Sequence, residues 1–311
     1  MTALYAHGNR LLLDGTPFLP KGFNSVAGHH ALPMCGGRSG KAAFEQFTAP
    51  GSPTCTAMRR DWHANIVRLQ VVQNALADPG SAPAYVGQLQ QLVSIAEAAG
   101  LCVILCMQDS LPPPCGSSTP ANAVINDKTA AAWTVLAPVF AHDQAVVYEL
   151  YNEISLETTQ WGEWKAQNQR LVDLIRPVAP NLILAGGCHK NMTFHGLGTH
   201  GLLRGTNIAY AIHPYNYAHK GWHDLWAYLT PVVPVVATEW YNTDAGLATS
   251  LVPSFLAFLK SRHVGLLGWA FDSPTSCELV THTVDATDPT KPWMWTPAPP
   301  SGQTLKDWFA T

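Results

Sequence analysis

Charge is scarce in this sequence and nowhere bunched. Only 13% of the 311 residues are Asp, Glu, Lys or Arg, the net charge is −3, and no run of basic side chains occurs. A protein that grips nucleic acid or an anionic membrane surface needs a concentrated positive patch, so the expected partner is neutral. Long apolar runs are also missing. No stretch approaches the roughly 18 residues of a membrane span, and Met1 to Asn9 has neither the basic nor the apolar region of a signal peptide. No GxGxxG follows an apolar run, no GxSxG occurs, and the histidines lack HxH or HExxH spacing. These absences count against a dinucleotide fold, a serine-hydrolase elbow and the common zinc sites. The stretch GGRSGKA is only a loose match to a phosphate loop, because its glycine spacing is wrong and Ala42 stands where Ser or Thr should hold magnesium. No metal or cofactor is expected. The seven cysteines are an odd number; Cys102 and Cys106 read as small core residues, while Cys35 and Cys55 flank a Gly/Pro/Ser-rich stretch and could bridge.

Aromatic side chains are plentiful, with 11 Trp, 9 Tyr and 10 Phe. They suit core packing and also stacking on sugar rings. The organising stretch is Ala145 to Glu153, AVVYELYNE, an apolar strand that ends in an amide and a carboxylate. Val232 to Trp240, VVPVVATEW, has the same form and ends at Glu239. Further strands are expected at Leu19–Asn24, Ile66–Val71, Cys102–Met107, Leu182–Ala185, Ile208–Ile212 and Gly265–Phe271. Helices are expected at Thr56–Ala64, Pro83–Ala99, Lys128–Phe140, Thr159–Val178 and Leu247–Arg262, with a last one from about Leu305. Strands alternating with helices imply a parallel sheet with right-handed crossovers, and the number of strands implies that it closes. The expectation is an α/β protein, a single (β/α)8 TIM barrel over residues 1–311, with a β-hairpin about Asp14-Gly15 capping its bottom.

Catalytic residues of such a barrel come from the C-terminal ends of its strands. The polar and aromatic residues there are Asn24, Arg68, Gln108, Asp109, Asn152, Glu153, His213, Tyr215, Glu239 and Trp269. Two glutamates on one rim, about 5 to 5.5 Å apart, would make the acid and nucleophile of retaining glycoside hydrolysis. In that chemistry Glu153 should have a pKa raised by burial and by its carboxylate neighbour, while a neighbouring Arg68 keeps Glu239 ionised. Strand parity puts Glu149 deeper on the same side, as an Arg-paired or hydrogen-bonded structural group. Trp240 and Tyr241 are read as sugar-stacking residues, His219 and Trp222 as candidate subsite residues, and Trp161 and Trp164 as packing.

AVVYELYNE, AIHPYNY, VVATEW and GLLGWAF, in that order, resemble glycoside hydrolase family 5, the cellulase-like retaining glycosidases of the (β/α)8 clan. The resemblance runs from about Leu12 to Phe271. It implies that Glu153 is the acid/base, Glu239 the nucleophile, and Asn152 the amide that holds the nucleophile and the sugar 2-hydroxyl. It further implies that Arg68 holds the nucleophile carboxylate, that His213 and Tyr215 position the glutamates, and that Trp269 floors the subsite. Two departures are visible: Gln108, beside Asp109, stands where the family usually has a His, and Asn-Glu is followed by Ile154 instead of Pro. The expected activity is endo-β-1,4-glucanase on a polysaccharide or oligosaccharide. β-Mannan, β-1,3-glucan, an exopolysaccharide, a glycolipid head group and a weakly catalytic sugar-binding barrel remain as alternatives. A monomer is expected, secreted with its leader removed in preference to cytoplasmic.

Overall fold

The computed structural model describes residues 2–31, 38–109, 123–215, 221–273, 279–283 and 294–311. Eight parallel strands close a barrel: β4 (Lys21–Ser25), β5 (Ile66–Val72), β6 (Cys102–Gln108), β7 (Val146–Glu149), β8 (Ile183–Gly186), β9 (Ile208–Ile212), β10 (Val235–Trp240) and β11 (Gly265–Gly268). Each strand pairs with its sequence neighbours, and β11 returns to β4 through Leu266 opposite Lys21. Beneath the barrel lies an antiparallel sheet of β1 (Leu4–His7), β2 (Arg10–Leu13) and β3 (Thr16–Pro17). The hairpin is where the sequence puts it, but Leu4–His7 adds a strand. Leu4 and Leu11 plug the barrel by packing with Ile66, Ile104, Val147, Val236 and Leu267.

Strand alternation divides the barrel into layers. Val67, Leu69, Val103, Leu105, Tyr148 and Tyr210 face outward and pack with Leu89, Leu92, Trp133, Leu171, Phe255 and Leu259 of the surrounding helices. The inward residues are apolar only at the bottom. Going up β5 they are Ile66, Arg68 and Gln70, and up β6 they are Ile104, Cys106 and Gln108; all are buried. The interior therefore turns polar toward the C-terminal rim. Among the described residues no helix is long and apolar enough to cross a membrane.

Several expected boundaries move for identifiable reasons. β7 ends at Glu149, although the Leu150 and Asn152 amides still donate to the Leu184 and Met107 carbonyls of the neighbouring strands (2.9 and 2.7 Å). The helix expected over Leu247–Arg262 is broken at Leu251 into Ala245–Ser250 and Val252–Arg262. Pro253 causes this, because it has no N–H to donate and its ring crowds the turn before it. Thr56–Ala64 holds a π-helical turn, Ala57–Asp61, after a short helix Pro53–Thr56. Helices Arg38–Thr48 and Gln73–Ala77, and the hairpin β12 (Val280–Thr283) and β13 (Met294–Pro297), have no counterpart in the sequence reading. Cys35 lies outside the described residues, and with it the suggested bridge to Cys55.

The top of the barrel is fastened by Asp272, which is fully buried. It accepts from the Ser25 hydroxyl (2.6 Å) and the Val26 amide (2.9 Å), joining the loop after β11 to the end of β4. Burial pushes its carboxyl up to about 6, against the pull of those two donors. An unfolded aspartate loses its proton near pH 4, so between about pH 4 and 6 the folded chain binds the extra proton. Stability should therefore fall as pH rises through that window, by about 3 kcal/mol in all. Urea unfolding of Asp272→Asn over pH 4 to 6.5 should lack this component of the wild-type slope.

Candidate active site

Arg68 is the centre of the polar layer. It stands inside β5, fully buried, and every nitrogen of its guanidinium is used. Nε and Nη2 donate to the two Glu149 oxygens at 2.6 and 3.0 Å. Nη1 donates to Asn24 Oδ1 and Glu239 Oε1, each at 2.6 Å, and Nη2 to Asn152 Oδ1 at 2.8 Å and Cys106 Sγ at 2.9 Å. One cation thus ties β4, β5, β6, β7, β10 and the turn after β7. Burial alone would lower its pKa, but Cys106, Glu149 and Glu239 outweigh that and hold it well above the ordinary arginine value.

Glu239 reaches this layer through an irregularity in β10. Val236 faces the barrel interior and Ala237 the helices, so strict alternation would turn Glu239 outward. Between Ala237 and Trp240 the strand carries one residue more than β11, where Leu266 and Gly268 are the partners. This bulge lets both Thr238 and Glu239 face inward. Thr238 donates to Glu149 at 3.3 Å, and Glu239 receives Arg68 on Oε1 and the Tyr215 hydroxyl on Oε2 at 2.8 Å. Asn24 completes the support, donating to the Thr238 and Gly268 carbonyls at 2.9 and 3.2 Å.

Glu153 follows the end of β7 with a left-handed backbone, φ 50°. Its carboxyl is partly exposed and lies 3.0 Å from His213 Nδ1, which is also 3.6 Å from Glu239 Oε2. His213 is held by its backbone amide, which donates to the Asn191 carbonyl at 2.9 Å. One atom each of Glu153, His213 and Glu239 lie within 4.8 Å of one another. Among the described residues this is the only His/Cys/Asp/Glu group close enough to chelate an ion. Arg68, Tyr215 and His213 already satisfy its carboxyls through hydrogen bonds.

The raised pKa expected for Glu153 is not what the site produces. Burial does push the carboxyl up, but the His213 hydrogen bond, the His213 charge, Lys190 and Arg68 together bring it below the ordinary glutamate value. The His213 ring, 3.0 Å from the carboxyl, makes the largest contribution to this lowering.

The other expected residues separate into groups. Arg68, Asn24, Asn152, His213, Tyr215 and both glutamates meet in the network above. Trp269 is partly exposed at the end of β11, and its amide donates to the Trp240 carbonyl at 2.9 Å. Tyr241 is half-buried with its ring 5.0 Å from that of Tyr215. Trp240 is corrected: it is wholly buried against Phe255 in the helix layer and meets no cleft. Trp222 likewise packs on Phe255 and Phe258, and His219 lies outside the described residues. Trp161 and Trp164 pack as expected. Glu149 is the Arg-paired structural group foreseen for it. Asp109 accepts from Asn74 at 3.1 Å.

Two participants were not foreseen. Cys106 contacts Arg68, and its position two residues before Gln108 on one strand face was a usable signal. Gln108 is hydrogen-bonded through its amide to the His29 ring, delivered by the 3-10 turn Ala27–Ala31 after β4. Burial lowers His29 to about 4, so it is a neutral imidazole at ordinary pH. A histidine on a loop of unpredicted path gave no such sign in the sequence.

Comparison with known proteins gives a consistent picture. The family model "Cellulase (glycosyl hydrolase family 5)" matches residues 33–274. The curated relative Endoglucanase E-5 of Thermobifida fusca is 22% identical over 228 residues, which is 69% of this chain and 47% of that protein. The chain therefore spans about half the length of that relative. The β-glucanase SdGluc5_26A from Saccharophagus degradans superposes with a TM-score of 0.71 at 20% identity, covering 100% of this chain and 93% of the other. The catalytic domain of Thermobifida fusca endoglucanase Cel5A, in complex with cellotetraose, gives 0.71 at 19%, over 99% and 97%. The catalytic domain of a mannanase from Streptomyces sp. SirexAA-E gives 0.64 at 18%, over 93% and 87%. At these identities the structural likeness establishes the fold.

Removing the central cation should be costly. Arg68→Met leaves Glu149 fully buried without its counter-ion and should lower the unfolding free energy by about 3 to 5 kcal/mol in urea titrations. Arg68→Lys should recover only part of this, because an ammonium cannot present the planar fork that spans both Glu149 oxygens.

Proposed function

The chain belongs to the cellulase family, glycosyl hydrolase family 5, and from that premise we propose that it is a retaining β-glycosidase, an endo-β-1,4-glucanase whose residues 1–311 form one catalytic domain acting as a monomer. The observation that supports the reading best is the closeness of two carboxyls in unlike surroundings. Glu239 is buried between Arg68 and Tyr215, Glu153 is partly exposed beside His213, and one oxygen of each lies within 4.8 Å of the other. Retaining hydrolysis uses such a separation, and a carboxyl pair that must admit a water between its members stands farther apart.

In the first step Glu239 attacks the anomeric carbon as Glu153 passes its proton to the departing glycosidic oxygen, leaving a glycosyl ester on Glu239. In the second step Glu153 takes a proton from water, whose oxygen attacks the same carbon and releases Glu239 as a carboxylate. Two carboxyls and water suffice for both steps. Arg68 and Tyr215 orient Glu239 and disperse its charge. Asn152, held by Arg68 through its Oδ1, stands toward the sugar 2-hydroxyl, with Trp269 and Tyr241 as apolar walls. The depressed Glu153 carboxyl suits the second step, in which it must be ionised. For the first step its pKa must rise, and a bound sugar that strips water from the carboxyl supplies part of that rise.

Glu239→Ala should lose turnover of soluble β-1,4-glucan by about 10⁴-fold or more, with partial recovery by azide. Unchanged activity would overturn the mechanism, and an inert wild type on glucans, mannans and β-1,3-glucans alike would favour a binding role. Glu153→Ala should lose roughly 10²- to 10⁴-fold on natural linkages, but much less on aryl glycosides whose leaving groups need no proton. His213→Asn removes the strongest pull on Glu153. The acid then keeps its proton to higher pH, and the alkaline limb of kcat/KM should move upward.

A further inference from the structure

Beside Glu153 the chain holds three consecutive residues, His189, Lys190 and Asn191, with left-handed backbones at φ 52°, 56° and 60°. This conformation is costly for any residue with a side chain, and runs of it mark segments held in place by their surroundings. Here the hold is visible: the His189 and Lys190 amides donate to the Leu156 and Ile154 carbonyls at 2.8 and 3.0 Å. Lys190 is therefore bonded to the residue that follows Glu153. Its neighbours have other tasks. His189 lies 3.6 Å from Glu157, and Asn191 is buried with its Nδ2 3.4 Å from His213 Nε2. Lys190 itself is exposed, and no described side chain pairs with its ammonium.

We propose that Lys190 recognises a carboxylate on the sugar that departs from the Glu153 side of the cleft, so that the substrate is a β-glycan bearing uronate-type groups. The inference rests on Glu153 being the acid/base. The charged groups facing Glu153 are His213, Lys190, Arg68 and Glu239, with the His189–Glu157 pair further out. With the cleft empty, the cations keep the Glu153 carboxyl low, the wrong direction for a proton donor. A carboxylate that settles on Lys190 cancels its share, and the water it displaces deepens the burial of Glu153. Both effects raise the acid. An acidic leaving sugar thus favours the protonation that its own release requires by both effects, and a neutral one only by displacing water.

The test uses β-1,4-linked oligosaccharides that differ only in glucuronate or glucose at the leaving position, with wild type, Lys190→Met and Lys190→Arg at low ionic strength. Wild type should show kcat/KM about fivefold higher for the glucuronate compound, a preference that declines with salt. Lys190→Met should lose the preference and Lys190→Arg should keep it. Equal values for both compounds in wild type, or an unaltered preference in Lys190→Met, overturn the proposal. A second readout needs no turnover: carboxyl ¹³C titration of Glu153, assigned through Glu153→Gln. The bound glucuronate compound should raise its midpoint more than the glucose compound does, in wild type and not in Lys190→Met. If that shift occurs while nothing is cleaved, the lysine site stands and the hydrolase reading fails. If cleavage occurs without preference or shift, the hydrolase stands and the lysine site fails.

Discussion

A single buried guanidinium governs this protein. Arg68 has no access to water, so each of its donors must find an acceptor inside the barrel, and the acceptors come from β4, β6, β7, β10 and the turn after β7. The result is a plate of side chains, from Asn24 round to Glu239, whose members fix one another. A buried cation among carboxylates contributes little net stability compared with an apolar filling of equal volume, and breaking the pair is expensive. Its benefit is positional. Glu149 accepts two of the six Arg68 hydrogen bonds and is fully buried, yet it neutralises Arg68 and so leaves the guanidinium free to lend a further hydrogen bond to Glu239.

The two glutamates differ because two backbone irregularities place them in different settings. The bulge in β10 turns Glu239 into the barrel, where Arg68 and Tyr215 occupy its two oxygens. The left-handed turn at Glu153 swings that carboxyl to the rim, next to His213 and within reach of the Lys190 charge. Asp272 locks the seam between β4 and β11 on the same rim. Gln108 and His29 together form a neutral hydrogen-bonding pair at the mouth of β6, joining the end of that strand to the turn after β4.

Much of the fold was legible because its signals are local. Apolar runs of strand length, separated by helical stripes, are enough to order a (β/α)8 barrel, and the Asp14-Gly15 turn is enough to announce the hairpin beneath it. Elements missed or misplaced had weak or conflicting local signals: the helix Arg38–Thr48 lies in a Gly/Pro-rich region, and Pro253 breaks a helix whose apolar pattern runs straight through it. Trp240 belongs to the helix layer because a residue next to an inward-facing glutamate points to the opposite side of the strand.

The sequence by itself determined the strand order, the carboxylates Glu153 just past β7 and Glu239 near the end of β10, and the Arg68, Asn152, His213 and Tyr215 that accompany them, since these follow from residue type and position along the chain. Tertiary structure alone decided that a bulge would aim Glu239 inward, that His29 would meet Gln108, and that Glu153 would lie low and not high. Those outcomes depend on which charges and backbone groups stand within a few ångströms across the barrel, and a distance between strands is not written in any one of them.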